Sequence, residues 1–93
     1  MYKIILTTKF KKDLKKVKKN FTDFKLASDF LRRLKISGID GVDIQMKPHK
    51  LKGNYKGNWE CHIKPNLLII WIQIESPKEI TLIRLGSHSE LFK

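Results

Sequence analysis

The N-terminal third of the chain has the apolar spacing of a strand followed by that of a helix. Residues 2–6 (YKIIL) favour a short β-strand, and Thr7-Thr8 can then cap a helix. Phe10, Leu14 and Val17 follow at i, i+4 and i+7 and predict an amphipathic helix with a narrow apolar stripe. Seven lysines between positions 9 and 19 surround that stripe. Because lysines at i, i+4 repel one another, this helix needs tertiary packing or a bound anion.

A second helix is predicted after Asn20, where the first pattern breaks. Thr22 or Asp23 can cap its N-terminus, and Gly38 can end it. Its buried face consists of four apolar residues at helical spacing: Ala27, Phe30, Leu31 and Leu34. The two helices are predicted to form an αα-hairpin with a short connection.

The C-terminal half carries strand patterns. Residues 39–56 have glycine and proline at their breaks and are predicted to be mostly loop. Three strands are predicted after them, at residues 58–64, 67–75 and 79–85, with a turn at 76–78. The order β-α-α-β-β-β predicts an α+β fold, a single domain over residues 1–93. Two helices would pack on one face of a small, mainly antiparallel sheet and leave the other face free.

Strand alternation places polar residues on that free face. Glu60 and His62 share one side of their strand, and the other side carries apolar positions: Trp59, Cys61 and Ile63. The last strand divides into two sets: Ile80, Leu82 and Arg84 on one side, and Thr81, Ile83 and Leu85 on the other. Arg84 would lie beside Glu60 and His62 if its strand end is on the free face. His88 and Phe92 in the tail would then close the rim.

The net charge of the chain indicates the kind of partner that it binds. Twenty Lys and Arg against 9 Asp and Glu give a formal net charge of +11, which favours a polyanionic partner, either nucleic acid or an acidic protein. The alternative is a solvated, lysine-rich surface without a specific role. RNA-backbone contacts are predicted at four lysines near the free face: Lys50, Lys52, Lys56 and Lys64.

Other composition features exclude several classes of protein. No apolar run approaches the roughly 18 residues of a membrane-spanning helix, and the N-terminus is too short and too quickly charged for a signal peptide. The single cysteine, Cys61, excludes an internal disulfide and is expected to be a small, half-buried and inert strand residue. These features fit a cytoplasmic protein.

Three histidines, a glutamate and an arginine on one face fit acid/base chemistry on a phosphodiester. Histidine gives and takes protons near neutral pH, and the arginine fork suits a phosphate whose charge grows in the transition state. Attack by the 2′-hydroxyl of RNA on the adjacent phosphate needs no metal, because the nucleophile is already in position. The candidate residues are His49, Glu60, His62, Arg84 and His88, and no cofactor is predicted.

Each candidate also fits an ordinary role. His49 follows a proline in a loop, His62 fits a surface position of a strand, and His88 can cap a final helical turn. Arg84 can form a surface ion pair with Glu60, which contributes little stability. The histidine spacing matches no compact zinc motif, so no metal site is predicted.

Two segments resemble a known family. PHKLKGNYKGNWECHIKPNLLIIW (residues 48–71) and RLGSHSELF (residues 84–92) are similar to the YafQ-type branch of the RelE/ParE toxin superfamily. Its members read approximately D-H-x-L-x-G-x-[WY]-K-G-x-R-x-x-H-[IV]-x-P-D-x-[IL]-L-[IV]-Y and then R-x-G-[ST]-H-x-x-L-F. The resemblance covers about half of the chain and implies a RelE-like fold. The N-terminal half matches only in its order of one strand and two helices.

The resemblance implies a ribosome-dependent mRNA interferase, the toxin of a type II toxin–antitoxin pair. Its partners would be mRNA on the ribosome and an acidic antitoxin that wraps around the toxin. The toxin–antitoxin complex would bind operator DNA. The family's functional residues carry over to the three histidines, its phosphate-binding arginine to Arg84 and its terminal aromatic residue to Phe92. Some relatives have a glutamate two places before the central histidine, which corresponds to Glu60.

The chain departs from the family pattern at three positions. The aspartate after the proline is Asn66, the aromatic residue that often follows is Leu67, and the arginine of K-G-x-R is Trp59. An amide cannot act as a base, so any such role of the aspartate must pass to Glu60 or a histidine, or activity is reduced.

Two other functions fit the same sequence. One is a ParE-like inhibitor of gyrase that cuts no RNA, for which the three histidines would have no role. The other is a non-catalytic module that binds RNA or an antitoxin, which the amide of Asn66 makes plausible.

Overall fold

The chain forms a five-stranded mixed sheet with two main helices. The computed structural model describes residues 1–92. Its strands are β1 (Lys3–Leu6), β2 (His49–Lys50), β3 (Trp59–Lys64), β4 (Leu67–Glu75) and β5 (Lys78–Gly86), side by side in the order β1-β5-β4-β3-β2. Its helices are α1 (Thr8–Val17), α2 (Phe21–Ser37) and the short C-terminal α3 (His88–Leu91). Only β1 and β5 pair in parallel, which confirms the predicted α+β fold with a mainly antiparallel sheet.

The two main helices begin at residues whose side chains cap them. Thr7 accepts a hydrogen bond from the Phe10 amide at 3.2 Å, as predicted, and its own hydroxyl donates to the Leu82 carbonyl at 2.8 Å. The predicted cap of α2 at Thr22 or Asp23 is wrong. Asn20 is the cap instead and accepts from the Asp23 amide at 3.1 Å, because asparagine favours this position as strongly as aspartate does.

Gly38 ends α2, as predicted, because both its backbone conformation and its close neighbours require a glycine. Its φ of 59° lies in the left-handed region. A Cβ there would also come within 2.6 Å of the Gln73 side chain and 2.9 Å of the Tyr2 ring. Glycine therefore allows the end of α2 to lie directly against the sheet.

The main core lies between the helices and one face of the sheet. It is centred on Trp71, which is fully buried and meets Phe30 of α2 edge to face at 5.9 Å. The predicted helix residues Phe10, Ala27 and Leu34 are buried in it, and Leu31 packs at its margin. From the sheet side it includes Cys61, Ile69, Ile80, Leu82 and Leu85.

The opposite face of the sheet is not left free, contrary to the sequence prediction. Leu68, Ile70 and Leu91 are buried there in a second cluster, with Tyr55 and Phe92 packed against them. The predicted loop is wrong at its C-terminal end, since β2 pairs with β3 and a 3-10 turn at Gly53–Tyr55 follows. This segment and α3 cover the strand ends because the apolar positions of β4 need burial on both faces.

A register shift in β5 reverses part of the predicted alternation. Leu82 pairs with Trp71 and Arg84 pairs with Ile70, so Ile83 is an extra residue in a β-bulge. Leu82 faces the main core, whereas Arg84 faces the second cluster. The prediction that Ile80, Leu82 and Arg84 share one side is therefore wrong, although the bulge does bring Arg84 to the face of Glu60.

Among residues 1–92, no helix has the length and apolarity to cross a membrane.

Candidate active site

A row of paired residues crosses four strands on the face opposite the main helices. His49 pairs with Glu60, Glu60 with Ile70, and Ile70 with Arg84. Directly paired residues share a face, and adjacent strands lie about 4.8 Å apart, so Glu60 and Arg84 are roughly 10 Å apart at Cα. The sheet therefore holds an acidic and a cationic group in one row, on either side of the fully buried Ile70.

Glu60 lies between two imidazole rings. Its Oε1 is 3.2 Å from Nε2 of His49 and 4.0 Å from Nε2 of His62. The residue is only 4% exposed, and its Oε2 has no hydrogen-bond partner among the described residues. Burying a carboxylate is costly unless a positive or hydrogen-bonding group faces it. The three side chains therefore form one cluster, with the buried carboxylate between the two rings.

His49 faces an acceptor at each ring nitrogen. Nδ1 is 2.8 Å from the carbonyl of Lys47, which can only accept, so Nδ1 carries a proton. Nε2 faces Oε1 of the buried Glu60 at 3.2 Å. The contact with Lys47 therefore orients the ring so that Nε2 points at the carboxylate.

Arg84 is held from the helix side. Its Nε donates to Oδ2 of Asp13 at 2.7 Å, and its Nη2 donates to Oδ1 at 3.2 Å. This hydrogen bonding raises the pKa of the Arg84 guanidinium above its ordinary value, and a hydrogen bond with Tyr55 adds to the effect. The proposed ion pair with Glu60 is therefore not formed, because the carboxylate that Arg84 meets is Asp13.

The tail delivers His88 and Phe92 to the Arg84 end of the row. Ser87 and Glu90 form a capping box at the N-terminus of α3. The Glu90 carboxylate accepts hydrogen bonds from the amide and the side chain of Ser87, and these bonds lower the pKa of Glu90. The His88 ring lies 4.9 Å from that of Phe92, which meets Tyr55 edge to face at 5.9 Å. Arg84, Tyr55 and Phe92 line one open groove of about 610 Å³.

The predicted site residues thus form two groups on one face. His49, Glu60 and His62 are in direct contact, whereas Phe92 contacts His88 and lines the same groove as Arg84. The two groups are separated by the second apolar cluster.

The four predicted RNA-binding lysines have different surroundings. Lys52 lines the groove beside Arg84, and Lys56 is exposed after the 3-10 turn. Lys50 lies over the Trp59 ring at 5.3 Å, and Lys64 pairs with Asp23 at 2.6 Å. Lys52 and Lys56 are therefore the less engaged of the four.

Cys61 is a strand residue, as predicted, but it is fully rather than half buried. It is the chain neighbour of Glu60 but is fully buried on the other face, and burial raises its pKa to about 12. A thiol in this setting is not ionised near neutral pH and is inert.

Sequence reasoning missed two residues of the site. Asp13 has one local signal, since it is the only acidic residue among the lysines of α1. Tyr55 stands in the GNYKG segment that resembles the family signature, but its packing against Phe92 depends on a contact between distant parts of the chain.

Comparison with known proteins gives the same fold over the whole chain. The sequence profile described as "Bacterial toxin of type II toxin-antitoxin system, YafQ" matches residues 2–93. A metal-bound toxin from Helicobacter pylori is 40% identical, over 99% of this chain and 100% of that chain, with a TM-score of 0.83. YafQ from E. coli strain BL21(DE3) is 25% identical over 100% of both chains, with a TM-score of 0.84.

The fold is also found in a solved complex. A chain of the E. coli DinJ–YafQ complex is 26% identical over 100% of both chains, with a TM-score of 0.82. No curated protein gives a significant match. Because the family profile spans nearly every residue, the chain belongs to the YafQ family, bacterial toxins of type II toxin–antitoxin systems.

Proposed function

We propose that this toxin is an endoribonuclease that cleaves mRNA on the ribosome by attack of a 2′-hydroxyl on the adjacent phosphate. The observation that carries the proposal is the row on one face of the sheet. It joins a buried carboxylate between two imidazoles to an arginine that lines an open groove. A base, an acid and a phosphate-binding fork are the parts that this reaction needs.

His62 or Glu60 takes the proton of the 2′-hydroxyl as the O2′–P bond forms. If the proton goes to His62, the neighbouring carboxylate stabilises the imidazolium, as in other carboxylate–histidine pairs. If it goes to Glu60, the carboxylate is the base itself. Asn66 cannot take this part, because an amide is not a base.

The P–O5′ bond breaks as the O5′ leaving group receives a proton. Two imidazoles are candidates for the donor. His49 faces the buried Glu60 through Nε2, and His88 is exposed at the tail. The products are a 2′,3′-cyclic phosphate and a 5′-hydroxyl.

Arg84 binds the scissile phosphate and stabilises the charge that grows on it. Phe92, whose ring lies at the margin of the same groove, stacks on a base or orients it. Lys52 and Lys56 contribute salt-dependent binding to the RNA backbone.

The proposed chemistry assigns no step to a metal ion. The Helicobacter pylori relative is described as metal-bound. In residues 1–92 of this chain, however, no three histidine, cysteine, aspartate or glutamate side chains are grouped so that they could hold an ion. The proposal assigns every proton transfer to side chains.

An acidic antitoxin is the proposed inhibitor. The E. coli relative was solved in complex with DinJ. The net charge of +11 on this chain attracts an acidic partner, and a peptide laid over the Arg84 groove would exclude RNA from it.

Induced expression in bacterial cells without an antitoxin tests the proposal. The chain should arrest growth, and primer extension should show new 5′ ends within translated mRNA. The variant His88→Ala should relieve both effects, whereas Ser89→Ala, on the same exposed turn, should behave as wild type. Growth arrest without new mRNA ends would contradict the proposal and favour a gyrase inhibitor or a non-catalytic module.

A further inference from the structure

Asp13 makes three hydrogen bonds at the edge of the site. Its Oδ2 accepts from Nε of Arg84 at 2.7 Å and from the Leu85 amide at 3.0 Å, and its Oδ1 accepts from Nη2 of Arg84 at 3.2 Å. Both side chains of the pair are largely buried, with 12% exposure for Asp13 and 18% for Arg84. A partly buried bidentate pair of this kind has a defined orientation, unlike a surface ion pair.

The position of α1 explains why a carboxylate is needed there. β1 pairs with β5 only as far as Leu6 and Leu82, so the outer edge of β5 has no strand beyond that point. Thr7 and Asp13 take over this edge by binding the Leu82 carbonyl and the Leu85 amide. Asp13 thus joins the helix to the strand immediately after the bulge that turns Arg84 toward the site.

The hydrogen bonds determine which part of the guanidinium remains for a ligand. Of the five N–H groups of an arginine, Asp13 takes two. Arg84 lines both the Tyr55–Phe92 groove and a second groove on α1, about 460 Å³ in volume, which Lys9, Lys12 and Lys16 also line, so the N–H groups that Asp13 leaves are available to a ligand there.

We propose that Asp13 is a positioning residue for RNA cleavage, because it fixes the Arg84 guanidinium so that its remaining N–H groups face the scissile phosphate. The inference rests on the proposed endoribonuclease activity. Asp13 touches no substrate atom itself. Its carboxylate repels RNA weakly while it orients the group that stabilises the transition state.

This role has an unusual kinetic signature. Asp13→Asn raises the formal net charge from +11 to +12, because one negative charge is lost, so RNA binding should be unchanged or tighter. The guanidinium loses its fixed orientation, and misplacement by about 1 Å can cost about 10²-fold in rate. We expect kcat on mRNA-programmed ribosomes to fall by about 10²-fold while KM stays equal or decreases.

A matched control separates this effect from a general loss of structure. Asp29→Asn removes another helix carboxylate that pairs with an arginine, Arg32, on an exposed surface. It should leave kcat and KM at wild-type values. Asp13→Asn keeps an oxygen that can accept from the Leu85 amide, and its thermal melt should remain close to that of wild type. A wild-type kcat, or a loss no larger than the unfolded fraction, would overturn the proposal.

A conservative variant keeps the proposal testable if Asp13→Asn does not fold. Asp13→Glu retains the charge on a longer stem, so it should fold, hold Arg84 in a shifted position and lose about tenfold in kcat. Wild-type kcat in Asp13→Glu would show that the orientation of Arg84 does not matter.

An NMR measurement tests the contact independently of RNA cleavage. The Arg84 Nε–H signal should be resolved and protected from exchange in wild type and in Asp29→Asn, and lost in Asp13→Asn. If wild type cuts no RNA but these signals behave as expected, only the proposed activity fails. An unprotected wild-type signal contradicts the positioning role itself.

Discussion

The face of the sheet under α1 and α2 and the face under residues 49–57 and α3 are buried by different kinds of contact. The first is a continuous apolar core around Trp71. The second is a small cluster around Ile70, with Glu60 and Arg84 as its paired neighbours across the strands. The face under the helices stabilises the fold through its buried apolar area. The other face can therefore hold charged groups that are costly to bury.

Neighbouring residues of β3 show the contrast most clearly. Cys61 and Glu60 are both buried, but Cys61 contacts only the main core, and its raised pKa keeps it uncharged. Glu60 holds two imidazoles and has one oxygen without a partner among the described residues. A group that costs stability in this way is typical of a site maintained for its chemistry.

The largest expected effect comes from Glu60→Gln. The amide keeps the volume and an acceptor for His49 but cannot accept a proton as a base. General acid/base catalysis contributes about 10²–10⁴-fold, so single-turnover cleavage should fall by that factor. Stability in urea should not decrease, because a buried carboxylate is removed. Glu79→Gln, at a strand position away from the row, is the control, and equal rates in the two variants would contradict the role of Glu60.

A pair of core variants compares the two faces directly. Ile69 and Ile70 are chain neighbours on β4, both fully buried, and they face opposite sides. Alanine at either position should cost about 2–5 kcal/mol in the free energy of unfolding. Only Ile70→Ala should also lower kcat of the folded fraction, since Ile70 separates Glu60 from Arg84 in the row. If Ile69→Ala impairs kcat equally, the faces are not functionally distinct.

The smallest expected effect is the loss of α3 stability at low pH. The pKa of Glu90 is lowered in the folded chain by its bonds to Ser87, so the stability it gives α3 is present above its ordinary pKa of 4.5. That stability is lost as the pH falls through the lower folded pKa. NMR signals of His88 and Phe92 should therefore broaden in acid before those of β4. In Glu90→Ala, which removes the acceptor for the Ser87 amide, the signals should be broadened already at neutral pH, and sharp signals there would contradict the role of the capping box.

Local patterns predicted the elements because few residues determine them. The apolar spacing of Phe10, Leu14 and Val17, and the apolar run of β4, are complete within one element. The two-residue β2 has no periodicity to detect. The extra residue at Ile83 leaves no trace in the sequence TLIRL, so alternation alone grouped Arg84 with Ile80 and Leu82 on one side of the strand.

The site was predicted in its residue types more than in its contacts. His49, Glu60 and His62 come together because β2 and β3 pair, which the loop prediction for residues 39–56 did not anticipate. The partner of Arg84 was missed because Asp13 lies 71 positions away, and only the packing of α1 on the edge of β5 brings them together. Family resemblance identified the residues but carried no such long-range contact.

The most direct test of the account is the chemistry of the RNA ends that the purified toxin produces on ribosomes programmed with a defined mRNA. Attack by the 2′-hydroxyl predicts fragments that end in a 2′,3′-cyclic phosphate, followed by fragments that begin with a 5′-hydroxyl. Fragments with 5′-phosphate and 3′-hydroxyl ends, or intact mRNA on fully occupied ribosomes, would contradict it.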